Sequence, residues 1–144
     1  MAEDKRRQPR GAAARPQDPR YGEGTVTLQT LDHGEVTIPE PTWCKGHEGQ
    51  MVGSLSDVSH EGPDVVASVD TRAGGEVVLL RANLTHAPYL EIEPESHPVV
   101  YVEALEAASV DATELRMVAA RLAVYAGSLR DLARQLDDMR RAES

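Results

Sequence analysis

The chain has no phenylalanine, one tryptophan, four tyrosines and one cysteine. With aromatic residues so scarce, a core has to be built from Val, Leu, Ile and Ala. A lone cysteine excludes an internal disulfide and fits a reducing compartment. No apolar run reaches the roughly eighteen residues that a membrane span needs. Basic residues near the N-terminus have no apolar segment behind them, so no secretory signal is expected. Positive charge is missing where acid is densest. Residues 21–110 hold only Lys45, Arg72 and Arg81 against fifteen acidic residues, a net of −12. Such a body repels phosphate backbones and disfavours nucleic acid as a partner.

The 144 residues suffice for one domain with a real core. Residues 1–22 are rich in Ala, Arg, Gln and Pro without apolar periodicity, and are predicted to be a disordered basic arm. Residues 23–144 are predicted to be a single α+β domain. Alternating apolar residues mark strands at Thr25–Leu31, Glu35–Ile38, Val65–Val69, Glu76–Ala82, Tyr89–Glu93 and Pro98–Ala104. Brief connections between them, such as Asp32-His33-Gly34 and Ala73-Gly74-Gly75, suit an antiparallel sheet of about six short strands. His86 and His97, next to Pro88 and Pro98, read as loop residues, and the outward acids of Tyr89–Glu95 as a solvated strand face.

One long helix should follow over residues 111–140. Asp111 can cap it, with Glu114 completing the capping box. Leu115, Leu122, Leu129 and Leu136 recur every seventh residue, with Val118, Tyr125, Leu132 and Met139 three places after each. Such a helix would extend about 45 Å, whereas strands of five to seven residues extend about 17–24 Å. Half of the stripe should then overhang the sheet. Exposed apolar stripes mark interfaces, so Leu122, Tyr125, Leu129, Leu132 and Leu136 are expected to pair two copies into a homodimer.

The loop over residues 42–62, TWCKGHEGQMVGSLSDVSHEG, concentrates the chemistry. Cys44, His47 and His60 offer a thiolate and two imidazoles at a spacing used by small zinc sites. The fourth position is open to Asp57, His33 or water. A protein group there would make the ion structural. Water there would let Glu48 or Glu61 act as general base in a zinc-dependent hydrolase. A cysteine hydrolase using Cys44 lacks any recognisable oxyanion hole or nucleophile turn. Without a metal, Cys44 would be a small buried hydrophobe and the two histidines polar surface.

LDHGEVTIPEPTWCKGH followed by SDVSHEGP resembles a family of small uncharacterised proteins from Streptomyces, related actinobacteria and their phages, over residues 24–140. The resemblance is carried by Trp43, Cys44, His47, Asp57 and His60. It implies that the Cys/His group is a family feature and that the protein is cytoplasmic.

The sequence therefore predicts a non-enzymatic interaction or regulatory module. Cys44, His47, His60 and Asp57 would hold a structural zinc ion, with Trp43 packed beside it. The alternatives are the zinc-dependent hydrolase and an acidic, DNA-mimicking inhibitor of a DNA-binding protein.

Overall fold

In the computed structural model, residues 24–48 and 53–143 are described, so the predicted basic arm lies outside the described residues. The fold is α+β: antiparallel sheets followed by one long C-terminal helix.

The chain starts with a hairpin, β1 (Thr25–Thr30) and β2 (Gly34–Pro39). Its turn needs a left-handed residue and has Gly34 at φ 62°. Leu28 and Ile38 bury the hairpin's inner face against Val58, with Leu55 and Tyr89 packed around them. The far end of the hairpin is tied to residues 53–55, because Leu31 N donates to Gly53 O and Leu55 N to the Asp32 carboxylate. Pro39 and Pro41 flank Glu40 and end the pairing. The hairpin is consequently a separate two-stranded sheet rather than part of one continuous six-stranded sheet.

The second sheet is organised by β5 (Gly75–His86), which is 12 residues long. β4 (Val65–Thr71) pairs with it over Gly75–Ala82, and β3, only His60–Glu61, pairs with Thr85 and His86. β6 (Val99–Ala104) pairs antiparallel with Leu80–Thr85. Two strand assignments therefore change. His60–Glu61 is a strand that the sequence hid, because two residues show no periodicity. Tyr89–Glu93 is a run of turns and bends. There Tyr89 packs on the hairpin core while Ile92 is 93% exposed. Residues 87–95 instead close on themselves, with Ala87 N donating to the Glu95 carboxylate and Glu95 N to Ala87 O.

The helix α1 (Ala112–Ala142) starts where expected, with both halves of the Asp111/Glu114 capping box formed. Its 31 residues extend about 46 Å, and β5 extends about 40 Å. The helix lies mainly against β4, and its second half covers the buried cluster while its first half keeps apolar side chains exposed. At one end, Arg72 N in the β4–β5 turn donates to the Glu114 carboxylate at 2.8 Å. At the other end, His97 meets the Glu143 carboxylate at 2.6 Å.

Between these ties the leucine stripe faces the sheet. Tyr125 and Leu132 are buried with Ala67, Ala82 and Leu84, and Leu129, Leu136 and Met139 pack against them. Of the residues expected at a dimer interface, these four (Tyr125, Leu129, Leu132, Leu136) belong to the chain's own core. Leu122 stays 38% exposed, and Leu115 earlier in the stripe is more exposed still. No helix among the described residues is long and apolar enough to cross a membrane.

Candidate metal centre

The strand-stopping prolines bring Glu40 to the start of the Cys/His loop. Glu40 N is held by Gly24 O, and two chain positions later the loop turns back, with Cys44 N donating to Pro41 O. Lys45 N donates to Glu61 O, which docks the loop on β3. Gly46, at φ 98°, lets the chain turn sharply enough for its own N–H to point at Cys44 Sγ, 3.4 Å away. That turn places His47 beside Cys44. β3 supplies His60 from the opposite side, anchored through its register partner His86 on β5. His86 is itself fully buried, and its Nε2–H donates to Glu95 O at 2.8 Å.

The four groups Glu40, Cys44, His47 and His60 have ligand atoms that all lie within 4.8 Å of one another. His47 Nε2 sits 3.6 Å from Cys44 Sγ, 3.3 Å from His60 Nδ1 and 3.3 Å from Glu40 Oε1. A tetrahedral ion bound at about 2.0–2.1 Å to nitrogen or oxygen and about 2.3 Å to sulfur has donor edges of about 3.6 Å (S–N) and about 3.4 Å (N–N and N–O). The three edges meeting at His47 therefore have tetrahedral lengths. Glu40 Oε1 is in addition buried without a hydrogen bond. An anionic oxygen in that state is costly unless a cation satisfies it. The donor set fits a divalent metal ion.

The local electrostatics at His60 agree with a ligand role. Burial, followed by the neighbouring charges of His47 and His86, pushes the His60 pKa down to about 4, so the ring is neutral at pH 7 with a lone pair to give. Burial raises the Cys44 pKa, and the adjacent Glu40 carboxylate adds to this. A bound cation acts in the opposite sense and deprotonates a coordinating thiol.

The structure thus brings Cys44, His47 and His60 together and sets Glu40 beside them. Asp57 lies outside the cluster; its carboxylate accepts from Ser54 N at 2.9 Å and caps the single 3-10 turn Leu55–Asp57. His33, the other protein group considered, pairs with Asp32 in the hairpin turn. Glu40 went unread because it precedes the Cys/His loop. The available signal was its position between two prolines, where a strand ends and a side chain is freed for another purpose. Of the two proposed general bases, Glu61 is engaged by Lys45 at 3.2 Å and Glu48 is exposed in a turn.

Trp43 packs against the buried cluster under α1 and closely over Gly62, where an added Cβ would lie 3.5 Å from the indole ring. It joins the Cys/His loop to the helix. A cleft of about 380 Å³ remains between them, lined by Trp43, Cys44, Pro63, Leu84, Leu132 and Gln135 among others.

Over residues 25–138 the chain matches, and belongs to, the family described as a domain of unknown function, DUF6907. The matched span takes in the hairpin, all four ligand candidates and nearly all of α1. No curated protein and no solved structure matches it.

Proposed function

We propose that the chain is a non-enzymatic interaction or regulatory module whose loop is fixed by a zinc ion held by Glu40, Cys44, His47 and His60. The observation that carries this reading is the set of three donor edges at His47, of 3.6, 3.3 and 3.3 Å. A mixed thiolate, imidazole and carboxylate set of four suits zinc better than magnesium or calcium, which prefer all-oxygen shells. Four protein donors complete a tetrahedron, which is the arrangement of structural sites, whereas catalytic sites keep a position for water. Of the two candidate general bases, Glu61 is paired to Lys45 and Glu48 is exposed. Both points favour a structural ion over the hydrolase.

An ion there would tie the end of β2 to β3, two strands that belong to separate sheets, through the loop between them. That is the use a small, aromatic-poor domain has for a metal staple. Self-association through α1 is proposed for its first half, where Leu115 and Leu122 are exposed, because the second half packs on the sheet.

Native mass spectrometry of the purified, untagged protein tests both parts in one spectrum. One zinc per chain in a dimer is the expected result. A metal-free species that takes up no added zinc sinks the metal reading, and a monomer across the micromolar range sinks the self-association.

A further inference from the structure

The four ligand candidates are not equally held. His60 is fully buried, and only 2% of the His47 side chain is exposed. Cys44 Sγ receives the Gly46 N–H. The Glu40 side chain is 22% exposed, and among the described residues its carboxylate meets other ligand candidates, His47 Nε2 at 3.3 Å and the Cys44 thiol, rather than a supporting donor outside the set. Ligands that stay put in metal sites are oriented by hydrogen bonds from a supporting shell. Glu40 lacks that support at the coordinating atom, and its three-torsion side chain can swing while its backbone stays bonded to Gly24.

Glu40 and Cys44 also share the wall of an open cleft of about 300 Å³, completed by Gly24, Pro41, Thr42, Lys45 and Gly46. That volume is at the lower end of what small-molecule sites occupy. The cleft therefore gives access to the ion on the side of its least supported ligand, and Lys45 lines the same wall.

We infer that Glu40 is an exchangeable ligand and that the ion accepts a small organic thiol, bound as its thiolate, from this cleft. The inference rests on the metal reading above. In the exchange the metal–oxygen bond to Glu40 breaks and a metal–sulfur bond forms. The thiol proton leaves to solvent through the cleft, and no electron changes hands. A thiolate is the right class because a cysteine and imidazole set makes the ion's environment soft, and soft donors displace carboxylates there. Lys45, which pairs with Glu61 at 3.2 Å, lines the wall beside the second anion that the exchange leaves at the site.

The test uses the full chain loaded with cobalt(II), whose sulfur-to-metal charge-transfer absorbance counts thiolate ligands. Titration with 2-mercaptoethanol should about double that absorbance, saturating at one thiol per chain, and acetate should not. Glu40→Ala, which has no internal competitor, should half-saturate at a thiol concentration at least about tenfold lower, or about 1.4 kcal/mol. A wild-type spectrum that stays unchanged until the thiol strips the metal overturns the inference while leaving the metal site standing. A chain that holds no cobalt overturns both. Because the wild-type spectrum decides alone, a poorly folded variant would not weaken the test.

Discussion

His47 Nε2 and His60 Nδ1 face each other at 3.3 Å, with the two ring planes 76° apart. Without an ion, this approach is tolerable only if one nitrogen carries a proton and the other accepts it. With an ion, both lone pairs can turn to a common point. If an ion binds, this pair of rings is the place where its loading and the local structure would be coupled.

Zinc content should follow the geometry rather than the linear motif. Cys44→Ser and His60→Asn should each lower zinc affinity at least about a hundredfold, since they remove donors directly, whereas changes to groups that only orient a ligand cost about 10–100-fold. Asp57→Asn, a change at an exposed cap, should leave one zinc per chain. Equilibrium dialysis with elemental analysis measures all three. Loss of zinc in Asp57→Asn would return Asp57 to the ligand set.

Metal removal should lower stability in step with affinity. At free zinc a hundredfold above Kd, the ion contributes about 2.7 kcal/mol, provided that the unfolded chain does not bind it. Calorimetry with and without chelator reads this as a fall in Tm, which should vanish in Cys44→Ser.

In the metal-free chain, acid should weaken the fold through His60. Its folded pKa is about 4 and its unfolded value about 6.5. Between those values the unfolded chain binds a proton that the folded chain refuses. The contribution of His60 is therefore fully present above about pH 6.5, falls as pH drops, and levels off below about pH 4. Urea midpoints at pH 7, 5.5 and 4.5 should decline with chelator present. The decline should be shallower in His60→Asn; equal slopes in the two proteins would remove His60 from the account.

The two halves of the leucine stripe should respond differently to truncation. Leu132→Ala opens the buried cluster beneath α1 and should cost about 2–5 kcal/mol. Leu115→Ala, on an exposed turn, should change monomer stability by no more than about 0.5 kcal/mol. If Leu115 joins two copies, its replacement should shift the dimer equilibrium in sedimentation while leaving the monomer folded.

Gly127 offers a stabilising change. It sits inside α1, and an added Cβ would meet nothing within 4 Å. Gly127→Ala should raise stability by about 0.5–1 kcal/mol through helix propensity and a less flexible unfolded chain. Chemical denaturation measures it; a loss of stability would mean that the helix needs flexibility at that point.

The α+β class, the hairpin, the capped helix and three of the four ligand candidates were legible in the sequence, because each leaves a short-range mark. Strand alternation marks Val65–Val69, the Asp111/Glu114 pair marks the helix start, and the Cys44–His47 spacing marks a turn. What escaped was fixed by partners distant in the chain. β3 exists only because His60 and Glu61 lie against the end of β5. β5 runs on to His86 because β3 and β6 both pair with its far end. The mark left by Glu40 was local but was of the wrong kind for a ligand search, namely two prolines that end a strand. Tyr89–Glu93 shows the converse error. It alternates like a strand, yet it pairs with no strand among the described residues, and its apolar residues divide between the hairpin core and solvent.

β5 is paired along both edges and lies under α1, while the metal loop meets the second sheet through two-residue β3 and the bonds around it. Amide hydrogens of Ala82–Leu84 should therefore be exchanged last, through opening of the whole molecule, and those of the loop among the first. Losing the ion would then leave the β5–helix scaffold standing and free only the corner that carries Glu40, Cys44 and His47. In that event one corner of the domain would unlatch by itself, and its order would report how much metal surrounds it.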